Sequence, residues 1–522
     1  MKKIFLAIAI FATVLTSCSK DALETSPTDA VSGDGIMATA ESALTALNGT
    51  YRMMFEWGWS VTGNAHQELG IMGYALMADL MGEDMVMAQQ GNGWFWYDYL
   101  YQVKSRYTAG TWRPYGVWNY YYTIISNVNY IIAARETMQG YDSDKNYVIG
   151  QALAIRAYCY HALAVMFART YVGHESEPGV PIYTEPSAAG TEGQPRGTVQ
   201  NVYDRAIADI DDAINCLTHA HARSDASHIN LSVAQGIKAR ILSYTAKTAQ
   251  DWQAIASLAK EARSSASILT KANVCNGFNS VNNKSVMWGF ITIQDQTTTN
   301  PQFMAHMDYY WGGYGKAAPK CCSQWLYTKM EANDARRGWW SIEPVDGFEL
   351  LQEKFLFDTS KDPASANYVN SICDRIYMRA EEMLLLQAEA ECRAGQDDAA
   401  QKTLAELMAQ RVGSGWSTSK TGTAMGALTT DETGSLLEEI ILQRRIELWG
   451  EYGRIYDIKR LKQGFVRTEE MGHPANGISA LNTLKCNNPE TWDWVLTIPQ
   501  SEFDANKNMD INSDQNPVGS GI

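Results

Sequence analysis

The chain holds 522 residues with 43 Lys+Arg against 58 Asp+Glu, a formal charge of −15, and 45% apolar residues, enough for a large buried core and incompatible with disorder or a collagen-like fibre. Charged residues make up only 19%, below the roughly 25% of an average soluble protein, while aromatics reach 11%, with 16 Trp and 27 Tyr. A pI near 5.1 without a Lys/Arg-rich block excludes the clustered positive charge that nucleic-acid phosphates demand, and the balance points to neutral or apolar ligands.

Lys2 and Lys3 precede a 12-residue apolar stretch, Ile4 to Leu15, too short to cross a bilayer. It ends in Leu15-Thr16-Ser17-Cys18, which looks like a bacterial lipobox, so residues 1–17 read as a lipoprotein signal peptide and Cys18 as the lipidated N-terminus. Their removal takes two lysines and leaves 41 Lys+Arg against 58 Asp+Glu, a charge of −17. Residues 18–40, beginning with the polar run Ser19 to Pro27, form a lipid-anchored tether. No later apolar run reads as long enough to span, so the expectation is a protein anchored by lipid.

Apolar spacing of 3 and 4 then dominates, predicting a mainly α fold in which residues 41–270 form an N-terminal helical region and 271–522 a C-terminal one. Leu44, Leu47, Tyr51 and Met54 mark a first helix. Trp118, Tyr121, Ile125, Val128 and Ile132 mark a helix from about Val117 to Glu136. Ile149, Leu153, Ala157, Tyr160, Leu163 and Phe167 mark a third. A fourth, capped by Thr198, uses Val199, Tyr203, Ala206, Ile210, Ala213 and Leu217. Residues 239–244 and 251–259 read as one antiparallel pair. Residues 382–393 and 398–411, joined by Ala394-Gly395-Gln396, read as a second. Small residues facing bulky ones across such pairs resemble diverged tetratricopeptide repeats of irregular period.

Two long segments lack that periodicity and are rich in rings: Gly82 to Tyr115, and Asn273 to Pro344, the latter including Trp288, Trp339 and Trp340. Long irregular segments in a compact protein are usually functional. A Trp or Tyr face is apolar yet electron-rich and suits the C–H face of a sugar, while nearby polar groups bond its hydroxyls. The candidate ligand residues are therefore Asp79, Asn92, Trp94, Trp96 and Tyr97 in the first region, and Tyr309, Tyr310, Trp311 and Tyr314 in the second.

Hydrolase and nucleotide fingerprints are absent, and no cofactor is implied. His219, His221, His228 and Asp225 lie in a polar linker that reads as structural, and no C-x-x-C pair marks a metal site. Cys159 and Cys392 sit on apolar helix faces as small core residues. Asp79, Glu83 and Asp84 are the carboxylates nearest the first aromatic segment, and they fit a solvated or hydrogen-bonding role better than glycoside hydrolysis. Glu447, Glu451 and Arg454 suit a partly buried ion-pair network at a helix end.

Several segments then line up in order. They are Glu41 to Tyr51; Ser126-Asn127-Val128-Asn129; Arg156-Ala157-Tyr158-Cys159-Tyr160 followed by Gly179-Val180-Pro181; and Tyr377-Met378-Arg379-Ala380-Glu381-Glu382 with Gln387-Ala388-Glu389-Ala390. Arg444-Arg445-Ile446-Glu447-Leu448 with Glu451, Arg454 and Asp457 follows, then Ile498-Pro499-Gln500-Ser501-Glu502 and Asp514-Gln515-Asn516-Pro517. Together they resemble the SusD/RagB family of surface lipoproteins from Bacteroidetes. That resemblance implies a SusD-like, tetratricopeptide-related fold. It also implies non-catalytic glycan capture at the outer membrane, on a protein that faces the cell exterior and delivers its ligand to a SusC-like TonB-dependent transporter. Peptide capture is a variant within the class, and a surface hydrolase is the competing class. Cys159 and His161, Cys321-Cys322, and Gly450 depart from the family pattern.

Overall fold

The computed structural model describes residues 33–55, 64–102, 112–188, 190–296 and 302–517. Cys18, the tether to residue 32 and Tyr107 lie outside them. Half of the chain is helical and little is strand. The principal helices are α1 (Ala40–Phe55), α2 (Gly70–Leu80), α3 (Trp112–Ala133), α4 (Asp142–Phe167), α5 (Val199–Thr218), α6 (Leu231–Thr245), α7 (Ala249–Ala262), α8 (Ala380–Arg393), α9 (Asp397–Ala409), α10 (Leu436–Glu447) and α11 (Arg454–Leu461).

Local chemistry sets the ends of several of these. Thr198 accepts the Asn201 N–H at 3.1 Å while the Asn201 side chain accepts the Thr198 N–H at 3.0 Å, closing a capping box that starts α5. Thr248 and Asp251 do the same for α7. Among the described residues helix α3 already runs from Trp112, five residues before the expected start.

Helix α4 is the central element and packs against α1, α3, α5 and α6. Every residue from Tyr147 to Phe167 except Tyr158 is buried. Contrary to the sequence expectation, this helix does have the length and apolarity of a membrane span, but 94% of that stretch lies inside protein. Its one deep charge is satisfied: Arg156 donates to Asp209 at 2.8 and 2.6 Å and to the Asn129 amide oxygen at 2.8 Å. Asn129 in turn donates to the carbonyls of Tyr183 and Glu185. The Asn-bearing helix, the Arg-bearing helix and the stretch that follows the strand Pro178–Pro181 are thus one hydrogen-bonded unit.

The pairs α6–α7 and α8–α9 form as expected, and α7 packs on α8, stacking one pair on the next. A second, smaller apolar cluster, including Leu384, Leu385, Leu404, Leu407, Leu437 and Ile440, is shared by α8, α9 and α10. Strands occur as three antiparallel two-stranded ribbons: β1 (Met85–Met87) with β5 (Lys320–Cys322), β2 (Pro178–Pro181) with β3 (Arg196–Thr198), and β4 (Val286–Phe290) with β6 (Arg375–Arg379). The two segments expected to be irregular therefore contain β1, β4, β5 and several helices of four or five residues. Such short elements pack by tertiary contact and leave no long periodic signal.

Arg156→Ala is expected to lower the unfolding free energy by about 3 kcal/mol, the low end for breaking a buried ion pair, because Arg205 still contacts Asp209 at 2.6 Å. Urea denaturation measures it; a loss below about 1 kcal/mol would show that the unit holds without its guanidinium.

Candidate functional site

The first aromatic segment is fixed at its base by charge. Arg445, in α10, donates to Asp84 at 2.9 and 2.7 Å, to Glu83 at 2.9 Å and to the Thr429 carbonyl at 2.6 Å, spanning 361 residues of sequence. Arg454 lies 3.0 Å from both Glu83 and Asp84. All four residues are buried. Burial alone would raise the Glu83 pKa, but Arg454 and Arg445 outweigh it and bring it down to about 2. The network continues through Glu447, which meets Arg336, Arg379 and Arg411, and through Glu451, which meets Arg379 and Lys354. Apart from Glu451 at its rim it is buried, deeper than the helix-end network expected from sequence.

Directly after Glu83 and Asp84, β1 pairs with β5 in the register Met85↔Cys322 and Met87↔Lys320, which brings the second aromatic segment alongside the first. Ala88 N–H donates to the Pro319 carbonyl at 3.2 Å, and the Gln89 amide donates to the Ala317 carbonyl at 2.9 Å. At Gly91 (φ +52°) an added Cβ would fall 2.1 Å from the Ala317 oxygen, so only glycine permits this approach.

The rings then interlock. Trp94 stacks on His66 with centroids 5.0 Å apart and meets Tyr314 edge-on at 6.0 Å. Tyr314 stacks on His306 at 4.6 Å, and its hydroxyl hydrogen-bonds His66 Nδ1, 248 residues away. His306 Nε2–H donates to the His66 carbonyl at 2.7 Å, which fixes the tautomer. Burial, then nearby Lys320, holds its pKa well below the usual histidine range, so the ring is neutral. Beneath them Phe95 adopts φ +63°, an uncommon left-handed conformation for a bulky residue. Its N–H donates to Gln67, and Arg113, bonded to Asp98 twice at 2.8 Å, lies 5.2 Å over its ring.

Asp308 builds the second segment's turn. Its carboxylate accepts the N–H groups of Tyr310 at 2.9 Å, Trp311 at 3.3 Å and Phe357 at 2.8 Å. Burial raises its pKa to about 6 against these bonds, the Phe357 N–H foremost. The Trp311 indole donates to Ser371 at 3.3 Å, and its ring covers the site a Gly313 Cβ would need, 2.3 Å away at φ +50°. The Tyr310 hydroxyl donates to Glu353 at 2.5 Å and that of Tyr309 to Asp346. Lys361 and Lys316 lie over these two rings at 4.9 and 5.3 Å.

Of the residues singled out from sequence, Trp94 and Tyr314 are in direct contact, and Tyr309 packs on Tyr310 at 5.9 Å. Trp94, Tyr310 and Trp311 are half-buried, Asn92 is exposed, and Tyr97, 41% exposed, covers Gly93. Trp96 and Asp79 are each only 4% exposed. Trp96 packs on Tyr99, whereas Asp79 accepts the Arg454 N–H at 2.8 Å and belongs to the charged base. Trp288, Trp339 and Trp340, grouped with the loop rings in sequence, are core residues. Sequence reasoning missed His66, His306 and Asp308. Only Asp308 carried a local signal, an aspartate two and three residues before the amides it binds.

Residues 259–518 match the family model described as SusD family, and residues 66–242 match one described as starch-binding associating with outer membrane. No curated protein matches the chain. Among solved structures, a SusD-like carbohydrate binding protein from Bacteroides vulgatus aligns at TM-score 0.73 and 24% identity over 90% of this chain and 97% of its own. A SusD superfamily protein from Bacteroides thetaiotaomicron aligns at 0.71 and 20%, over 92% and 100%. Surface glycan-binding protein A from the same species, in complex with laminarihexaose, aligns at 0.65 and 18%, over 92% and 99%. The helix-pair scaffold is thus that of SusD-superfamily structures. The chain belongs to the SusD family.

Glu83, with its folded pKa near 2 against an ordinary 4.5, contributes stability that is complete above pH 4.5 and lost as pH falls toward 2. Glu83→Gln is expected to flatten the decline in melting temperature across that window; an unchanged slope would remove Glu83 from the load-carrying base.

Proposed function

We propose that this protein is a non-enzymatic, outward-facing outer-membrane lipoprotein, anchored through Cys18, that binds a glycan and delivers it to a SusC-like TonB-dependent transporter. The observation that carries the reading is the meeting of Trp94 and Tyr314 from segments far apart in sequence, with half-buried Tyr310 and Trp311 and exposed Tyr97 in the same two segments. Fixed apolar ring faces beside sparse polar groups are the general plan of a small-ligand site. Binding is assigned to Trp94, Tyr97, Tyr310, Trp311 and Asn92. Trp96, Tyr309, Tyr314 and Asp79, also singled out from sequence, support them from below. Family membership and the laminarihexaose complex of a structural relative support a carbohydrate ligand and an outer-membrane setting. Glu83 and Asp84, which open the first segment, are held by Arg445 and Arg454, and the carboxylates beside the second segment's rings are committed as well, Asp308 to turn amides, Glu353 to Tyr310 and Asp346 to Tyr309, which disfavours acid–base catalysis there.

Affinity electrophoresis across neutral polysaccharides tests the site. Trp94→Ala and Trp311→Ala are each expected to cost about 2 kcal/mol, about thirtyfold in affinity, and Asp79→Asn to leave binding unchanged. Full retention of binding by Trp94→Ala, Tyr97→Ala and Trp311→Ala would place the ligand elsewhere. Cys18→Ala is expected to shift the protein from the membrane fraction to the soluble one; retention in the membrane would refute the lipid anchor.

A further inference from the structure

Helix α3 supports the aromatic segments on one face and carries a second set of rings on the other. Arg113 holds Phe95 and Asp98 from below. At about 100° per residue, Tyr115 lies roughly 160° around the helix from it, and Trp118, Asn119, Tyr122 and Ser126 continue that opposite face. There they line a groove of about 330 Å³, closed by Tyr183 from the stretch after β2 and by Ser501 and Glu502 of the short helix Gln500–Ala505.

Three of the groove's rings, Trp118, Tyr122 and Tyr183, are held in place with their polar atoms committed to the protein. Trp118 packs on Tyr122 at 4.8 Å, and Tyr122 meets Tyr183 edge-on at 5.7 Å. The Trp118 indole donates to Glu502 at 3.0 Å and the Tyr122 hydroxyl to the Pro181 carbonyl at 2.7 Å, while the Tyr183 hydroxyl accepts the Gln194 N–H at 3.0 Å. Glu502, the one charged residue of the lining, is further occupied by the Asn506 amide at 2.8 Å. By contrast, the Asn119 amide and the Ser126 and Ser501 hydroxyls, all half-buried in the lining, make no side-chain hydrogen bond with another described residue. The half-buried rings of Tyr122 and Tyr183 beside a Trp118 floor only 4% exposed, with uncommitted neutral donors and acceptors and no spare charge, suit a neutral, hydroxylated ring ligand. The larger cavity of about 550 Å³ beside Trp325 lacks this chemistry. Its indole already carries Arg445 and Lys329 at 4.5 and 4.8 Å, and its wall charges pair as Lys329–Glu432 and Lys420–Glu439.

We propose that the Trp118–Tyr122–Tyr183 groove is a second saccharide subsite that takes a short neutral oligosaccharide segment, separate from the Trp94–Trp311 region and on the opposite side of α3. The proposal rests on the glycan reading above. Two subsites on one chain favour long polymers over short oligomers, because the second contact is made within an already bound molecule.

Isothermal titration of the mature full-length chain with laminarihexaose, maltohexaose, xylohexaose and chitohexaose tests it, using wild type, Trp94→Ala/Trp311→Ala, Ser126→Arg, and all three substitutions combined. The double variant is expected to retain weak binding to the hexasaccharide that wild type binds, and Ser126→Arg is expected to abolish that remainder. Alone, Ser126→Arg should leave the stronger hexasaccharide site intact and weaken retardation by the matching polysaccharide at least fivefold. Asn119→Arg, on the same wall, replaces Ser126→Arg if circular dichroism shows that variant unfolded. A double variant that binds nothing while wild type binds, or residual binding indifferent to Ser126→Arg and Asn119→Arg, overturns the groove and leaves the first site standing. Failure of wild type to bind any of the four probes removes the glycan reading and this proposal together.

Discussion

The grip of Arg445 on Glu83 and Asp84 is the contact on which the rest of the surface depends. Burying an arginine and two carboxylates is costly unless every donor and acceptor is met. Here Nε, Nη1 and Nη2 of Arg445 are all engaged, Arg454 approaches the same pair, and the indole of Trp449 adds a bond to the Asp84 carbonyl. A lysine could not reproduce this fork geometry. Since Asp84 is followed at once by β1, the C-terminal charged motif determines where an N-terminal aromatic segment begins. A scaffold motif set apart from the candidate rings thereby positions the segment that carries them.

The helices were legible in the sequence where period and caps agreed. Helix α5 shows both, with Thr198 at its start and an unbroken apolar seam, and the α8–α9 pair was marked by its Ala-Gly-Gln turn. Helix α4 was legible as a helix but not in its setting, since a helix buried all round and one that crosses a membrane share the same composition. The short helices Phe303–Met307 and Gly313–Ala317 were lost because five residues do not complete two turns. For the candidate site, rings beside glycines were the local cue that singled out Trp94 and Trp311. Nothing local linked His66 to Tyr314, and charge in a sequence looks the same whether it will be solvated, like Glu432, or sealed, like Glu447.

The unusual composition acquires a physical partition from these contacts. Many of the arginines are spent inside, each opposite a carboxylate, so the surface is poorer in positive charge than the count suggests. The aromatics divide three ways: fully interior, as Trp288 and Trp339; structural but near the surface, as Trp96; and ring faces open to solvent, as Tyr97. Polar work at the surface passes to hydroxyls, amides and ring edges. This is a surface suited to ligands without charge.

The absent side chain at Gly91 has an evolutionary consequence. With the Ala317 carbonyl occupying the space a Cβ would need, the two aromatic segments are mechanically one plate, although the chain makes them more than two hundred residues apart. An insertion in either would pry at the other. Change in such a surface is therefore channelled into exchange of ring-bearing side chains at fixed positions, and substitution there disturbs the scaffold less than any change in loop length.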